Sequence, residues 1–480
     1  MSVLVVDVGT SGVRAAVVGP DAGVGPVAYR EVLPTSPAPM FVEFDAAELA
    51  AAVLDVAHRA LDGVGAVRAV GIANQRSSTV VWSRKTGRPV APGVGWQDVR
   101  TAAVCVALRQ KGLRLAPNES ATKLAFLLDT VDPDRSDDLC FGTVDSWVAW
   151  TLTEGAVHVT DVSNAALTGL LHLDGSGWNT EVLEELRIPP AVLPTLVDSS
   201  GPVGTASALP GAPLIAGLAG DQQASLLGQG CTRPGMAKLT FGTGGMLDLC
   251  LSQRPDFDRR GPAGCFPIVA WRLDGAITWG LEAAMLSAGQ SVAWLRDDLG
   301  IISSAAESEE IAGQCRDTDG VWFVPALQGL GAPVWDFGAR GTLLGLSRGA
   351  GRPQIVRAVL EGVAHRAVDL VEAAEADAGV SIEELRVDGG MSANGVFLQA
   401  LADAAQRPVE VSRVREATTL GAAFLAGLAT GVWSGLDEWA DLWKPGQVIE
   451  PRRRADRAKW RDARDRAQRW VPELSALEFF

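Results

Sequence analysis

Residues 3–6 form a short apolar run that stops at DVGTSG, and residues 13–18 resume it with Val and Ala. Two apolar runs around a glycine-containing turn predict a β-hairpin. Residues 46–61 carry apolar side chains at helical spacing, and residues 69–73 and 79–82 read as strands on either side of NQRSS. Strands alternating with helices predict an α/β fold. The same order returns later, where residues 236–239 precede FGTGG and residues 247–251 follow it. The chain therefore reads as two halves of one design with a cleft between them, the second beginning just beyond CTRPG at residues 231–235. Farther on, residues 353–378 predict a long helix, DGGMSAN opens another that runs through Ala404, and residues 418–428 are small and apolar throughout. Residues 452–469 set Arg and Asp at helical spacing around Trp460, the pattern of a solvated, salt-bridged helix and not of a basic recognition arm.

Length supports the division, because 480 residues exceed one ordinary core of roughly 100 to 200 residues. A net charge of -15 argues against a nucleic-acid surface, which draws its affinity from basic groups, and against anionic membranes. A nucleotide is still allowed, since loop N–H groups and a metal ion can hold phosphates locally. The six cysteines are scattered and form neither a CxxC pair nor a zinc spacing with the four histidines, so they are expected as thiols. An opening strand with no basic leader, and no stretch long enough to span a bilayer, places the expected location in the cytoplasm.

Three segments carry candidate chemistry. In DVGTSGVR, residues 7–14, Gly9 and Gly12 permit tight backbone geometry, Thr10 and Ser11 offer hydroxyls, and Asp7 offers a carboxylate. An ordinary hairpin turn would look the same. TFGTGG at residues 240–245 repeats that grammar, and two such turns at equivalent places in two halves could grip one polyphosphate. Between them, LIAGLAGDQQASLLGQG ends an apolar strand at Asp221 and passes into a helix. Asp221 there suits a helix N-cap and a carboxylate at a cleft edge equally well.

Taken together, DxGTxxxR, NQR, WQD, AGDQQ, FGTG and DGG resemble the FGGY family of carbohydrate kinases, and its glycerol kinase branch most. The most specific stretch is GTLLGLSRGAGRPQIVRAVLEG, residues 341–362. An earlier signature, SATKLAFLLD, keeps Lys123 but has Phe126 where the family has Trp. The resemblance runs from Asp7 to about Leu428. It implies two actin-like, ribonuclease-H-like domains, residues 1–232 and 233–445, around an interdomain catalytic cleft, with a helical extension over 446–480. It implies ATP and Mg²⁺, a homodimer or homotetramer, and a small polyol or sugar as acceptor. By the same resemblance Asp221 is the general base and Asp7 lies near Mg²⁺. Thr10, Ser11 and Arg14 match the first phosphate loop, Gly242 and Thr243 the second, and Gly289, Gly390 and Asn394 the ribose and adenine positions.

Departures from the family concentrate at the acceptor. The carboxylate expected after the arginine of NQR is Ser77, an expected Tyr is Asn118, and an expected aromatic is Met246, whereas Arg76, Trp96, Asp221 and Gln222 are retained. Losing one carboxylate and two aromatic walls predicts a larger pocket with altered hydrogen bonding. A tetritol, pentitol or ketopentose is therefore an alternative to glycerol. A non-catalytic actin-like ATP-binding protein is the alternative from another class.

Overall fold

The computed structural model describes residues 2–414 and 416–476. Two sheets organise it. In the first, Ser200–Thr205, Leu214–Gly220, Ala69–Asn74, Val3–Gly9, Gly12–Val18 and Ala28–Glu31 lie side by side in that order. Val3–Gly9, Ala69–Asn74 and Leu214–Gly220 run parallel, and Gly12–Val18 is antiparallel to its neighbours. The second sheet is ordered Phe266–Leu273, Ala276–Met285, Gly245–Leu251, Ala237–Phe241, Leu385–Gly389, Val409–Ser412 and Pro445–Ile449. Both contain a five-strand order 3-2-1-4-5 opened by a hairpin. This is the duplication read from the two glycine turns, in the actin-like form that the family resemblance implied.

Each sheet is covered by helices that bury its apolar faces, with Ala46–Leu61 on the first and the long Arg352–Ala378 on the second. Ala46–Leu61 starts cleanly because Asp45 caps it, its carboxylate accepting from the N–H groups of Ala47 and Glu48. The run after NQRSS is a strand, as expected, but it lies outside the main sheet. Ser77 adopts a positive φ of 61°, which turns the chain, and Val80–Ser83 leaves the main sheet to pair with Leu139–Gly142.

The small, apolar segment becomes the helix Ala417–Ala429, and its packing explains its composition. Although it lies between the last two strands of the second sheet in the chain, it shares a core with Val3, Val5, Ala69, Ala216 and Ala219 of the first. It also lies against Asp221–Gly228 so closely that a Cβ on Gly421 would stand 1.8 Å from the Ala224 carbonyl oxygen, and one on Gly228 1.8 Å from that of Ala417. Only glycine fits at such a crossing. The two halves are therefore joined by a pair of tightly crossed helices.

The terminal segment forms the helix Arg457–Arg466, salt-bridged as expected, but its inner face is not solvated: Trp460 is fully buried, and Arg457 and Arg464 turn inward onto Asp369. All six cysteines are unpaired, five of them buried.

Candidate active site

Asp221 stands where Leu214–Gly220 ends and Asp221–Gly228 begins. The N-cap residue is Gly220, so Asp221 is the first helical residue and does not cap the helix. Its Oδ1 accepts from the Gln222 backbone N–H at 2.8 Å and lies 3.3 Å from Arg76 Nε. Burial raises the Asp221 pKa above the ordinary carboxylate range, against the opposing pull of Arg76, the Gln222 N–H and Lys238, while Glu282 raises it further. A carboxylate so placed holds a proton more readily than an exposed aspartate, which suits a proton acceptor.

Arg76 is shared between the halves. Its Nη1 is 2.6 Å from Glu282 Oε2, on the Ala276–Met285 strand of the second sheet. Burial works against the guanidinium's charge, but Glu282, Asp221 and Asp248 outweigh it and hold the group protonated. Glu282 lies opposite Asp248 in the sheet, and Asp248 opposite Lys238. Lys238 and Asp248 form a fully buried ion pair at 2.7 Å, and Lys238 Nζ also donates to Gln222 Oε1 at 2.5 Å and Thr240 Oγ1 at 2.9 Å. A row of charges on the second sheet thus faces the Asp221 helix. Sequence reasoning missed Lys238, Asp248 and Glu282. The available signal was one charged residue in the middle of each of three apolar strands, AKLTF, MLDLCL and GLEAAM.

This arrangement yields a test of its own. Replacing Glu282 with Gln removes a negative charge near Asp221 and leaves Arg76 paired to Asp221 alone, so the Asp221 pKa should fall. Since a base must be deprotonated to act, the acid limb of a kcat/KM profile is expected to move to lower pH. A limb that stays in place would show that Glu282 does not tune Asp221.

The other residues expected on the acceptor side come from separate elements. Trp96 has an exposed edge, and its Nε1 donates to Thr10 Oγ1 at 3.0 Å, linking the WQD run to the first glycine turn. Asn118 is exposed, and Met246 is half-buried on Gly245–Leu251. Ser77 is buried and its hydroxyl donates to the Leu167 carbonyl at 2.9 Å, so that donor is already engaged. Lys123 is wholly buried and donates to the carbonyls of Gly95, Trp96 and Asn118, tying the WQD run to the segment before its own helix. Burial lowers its pKa to about 7 against the opposing effect of Asp98.

Both glycine turns close the first hairpin of a sheet. Thr10 and Ser11 sit between the paired Gly9 and Gly12, and residues 242–244 between the paired Phe241 and Gly245. Gly242 and Thr243 are exposed, and their carbonyls receive the N–H groups of Gly289 and Ala288 at 2.9 Å each. A Cβ on Gly289 would meet the Gly242 carbonyl oxygen at 2.6 Å, which accounts for glycine there. Gly390 opens a short 3-10 turn. Asn394 then caps Gly395–Ala405, accepting from the Phe397 N–H at 2.9 Å and donating to Ser308 Oγ at 3.0 Å. One end of its amide is thus engaged by local backbone and the other by a distant side chain.

Asp7 is buried beside Arg14 Nη1 at 3.8 Å, and Arg14 lies 3.9 Å from Glu416. Burial raises the Asp7 pKa to about 7; Arg14 opposes this, and Asp221 and Glu416 add to it. Arg14 alone does not offset the cost of burying this charge. Asp7 fits a divalent cation bound through one carboxylate with phosphates completing the shell, the usual mode for Mg²⁺. Among the described residues, no group of three His, Cys, Asp or Glu side chains is placed to hold a metal by itself.

Comparison with known proteins agrees with this duplicated architecture. Residues 2–228 match the N-terminal domain, and residues 237–430 the C-terminal domain, of the FGGY family of carbohydrate kinases. The chain belongs to that family. This FGGY chain is 44% identical to a glycerol kinase from Aromatoleum aromaticum, over 98% of this chain and 99% of the relative. It is 45% identical to one from Trichlorobacter lovleyi at the same coverage of both chains. The crystal structure of Plasmodium falciparum glycerol kinase with ADP superposes with a TM-score of 0.88 at 26% identity, covering 99% of this chain and 98% of that one. Membership makes the FGGY chain a phosphotransferase with an alcohol acceptor. Among the described residues, no helix is long and apolar enough to cross a membrane.

Proposed function

We propose that the chain is an ATP-dependent kinase that transfers the γ-phosphate to a primary hydroxyl of glycerol or a closely related polyol. The observation that carries this reading is Asp221, a half-buried carboxylate of raised pKa held by Arg76 at the junction of two halves that each present a glycine turn. Phosphoryl transfer leaves a protein mainly alignment, proton acceptance and charge neutralisation. The acceptor hydroxyl is placed by Arg76, Gln222 and Trp96, with Asn118, Met246 and the Ser77 turn forming the walls. Asp221 takes its proton as the hydroxyl oxygen bonds to the γ-phosphorus and ADP departs. Thr10, Ser11 and Arg14 on one side, and Gly242 and Thr243 on the other, bind the phosphates, while Gly289, Gly390 and Asn394 frame the nucleoside. Asp7 would hold Mg²⁺, which when bound neutralises phosphate charge.

The test is a coupled ADP-release assay with glycerol, erythritol, ribitol, xylulose and no acceptor. Glycerol is expected to give saturable turnover with the highest kcat/KM. Absence of stimulation by every polyol and sugar would sink the kinase reading. A preference for a five-carbon acceptor would overturn the assignment of glycerol alone.

A further inference from the structure

Away from the Asp221 centre, a cleft of about 580 Å³ opens between the two halves, with Arg114 and Leu171 on the first and Asp258, Arg259 and Arg260 on the second. That volume is in the range of small-molecule sites. The acidic groups around it are already engaged. Asp258 pairs with Arg254 at 2.7 Å, and Glu119 accepts from the Ala116 N–H at 2.8 Å and pairs with Arg259 at 3.2 Å. Arg114 and Arg260 have no hydrogen-bond or ion-pair partner among the described residues. Two uncommitted guanidinium groups therefore line one cavity, in a chain whose net charge is -15.

The walls are also fixed in place. Arg254 Nε donates across to the Leu173 carbonyl at 3.2 Å, and Arg259 reaches Glu119, so two bonds span the halves beside the cleft. The backbone just after Arg260 is anchored by Asp377, whose carboxylate accepts from the N–H groups of Ala263 at 2.7 Å and Cys265 at 2.9 Å. Guanidinium groups match the planar, multidentate geometry of phosphate and carboxylate.

We infer that this cleft binds a small molecule carrying two anionic groups, one held by Arg114 and the other by Arg260, and that this ligand bridges the two halves. Phosphate and carboxylate share the required chemistry, and the probes separate them. Titrate the full chain with inorganic pyrophosphate and, separately, with citrate by calorimetry. Repeat both with an Arg114→Gln/Arg260→Gln variant and with a Lys85→Gln/Arg88→Gln control, which removes the same charge from an exposed surface elsewhere.

Saturable binding by either probe to the wild type and the control, weakened about tenfold or more in the cleft variant, is expected, because each substitution removes charge-assisted hydrogen bonds to the probe. Binding of pyrophosphate alone marks a phosphate ligand, and binding of citrate alone a polycarboxylate. Equal affinity in all three proteins, or no saturable heat at low millimolar probe, overturns the inference. Should the double variant fold poorly, the single Arg114→Gln change, at an exposed residue without partners, decides it by the same comparison. None of these outcomes depends on turnover, so the inference stands or falls separately from the kinase reading.

Discussion

Asp221→Asn should lower kcat by about 10²- to 10⁴-fold, the usual contribution of a positioned general base, while the protein folds normally. Asparagine has the same shape and can still accept the Gln222 N–H bond that Asp221 Oδ1 makes at 2.8 Å. Arg76 loses one partner but keeps Glu282 at 2.6 Å. What disappears is the capacity to take a proton. Stability should move the other way. Because burial raises the folded-state pKa of Asp221, its charge costs stability once the pH exceeds the unfolded value, and that cost is full above the folded pKa. The variant's Tm at pH 8 should therefore equal or exceed that of the wild type, with the advantage fading toward acid. Steady-state kinetics and a thermal scan check both halves. A kcat within about tenfold of wild type would remove Asp221 from the role of base.

The parts of this site that were legible in the sequence are those built from local pattern. Glycine and hydroxyl residues between two apolar runs specify the hairpins around Thr10 and Thr243, because turn chemistry and alternation lie within a dozen residues. Asp221 stood out because a carboxylate ended an apolar strand. The charge row did not, since Lys238, Asp248 and Glu282 meet only through lateral strand pairing across more than forty residues of chain. The positive φ of Ser77 is likewise set by its surroundings, with Ser120 Oγ donating to its carbonyl at 3.0 Å. The small residues of Ala417–Ala429 were visible, but their reason was not. Gly421 is glycine because a helix from elsewhere in the chain crosses at that point, and a contact partner is not written in local composition.

The C-terminal segment shows the same limit with a larger energetic consequence, and Asp369→Ala should destabilise the fold by about 3–5 kcal/mol or more, as removal of one partner from a buried ion pair does. Asp369 lies inside Arg352–Ala378 with its side chain fully buried. Arg366 Nη1 is 2.7 Å from Oδ2, Arg457 Nη2 2.6 Å from Oδ1 and Arg464 Nη1 3.4 Å from Oδ2, while Trp460 Nε1 donates to Oδ1 at 3.0 Å. One carboxylate thus serves three guanidinium groups. Burial alone would raise its pKa, but the three cations together hold it below the ordinary value. Alanine would leave the buried Arg366 with only the Ala332 carbonyl at 2.7 Å, and would remove the shared anchor of Arg457–Arg466. His365 stacks on Trp460 at 5.0 Å between centroids, so the aromatic contact would loosen with it. The sign of the pH dependence follows from the depressed pKa. Stability from Asp369 is full above its unfolded pKa and is lost as pH falls through the folded value, so the gap between wild type and variant should be largest near neutrality and shrink in strong acid. Urea denaturation followed by tryptophan fluorescence measures the loss, and limited proteolysis within residues 452–469 reports undocking of the helix. A cost below about 1 kcal/mol, in the range of an exposed ion pair, together with unchanged protease resistance, would mean that the terminal helix is held by its apolar contacts and not by Asp369.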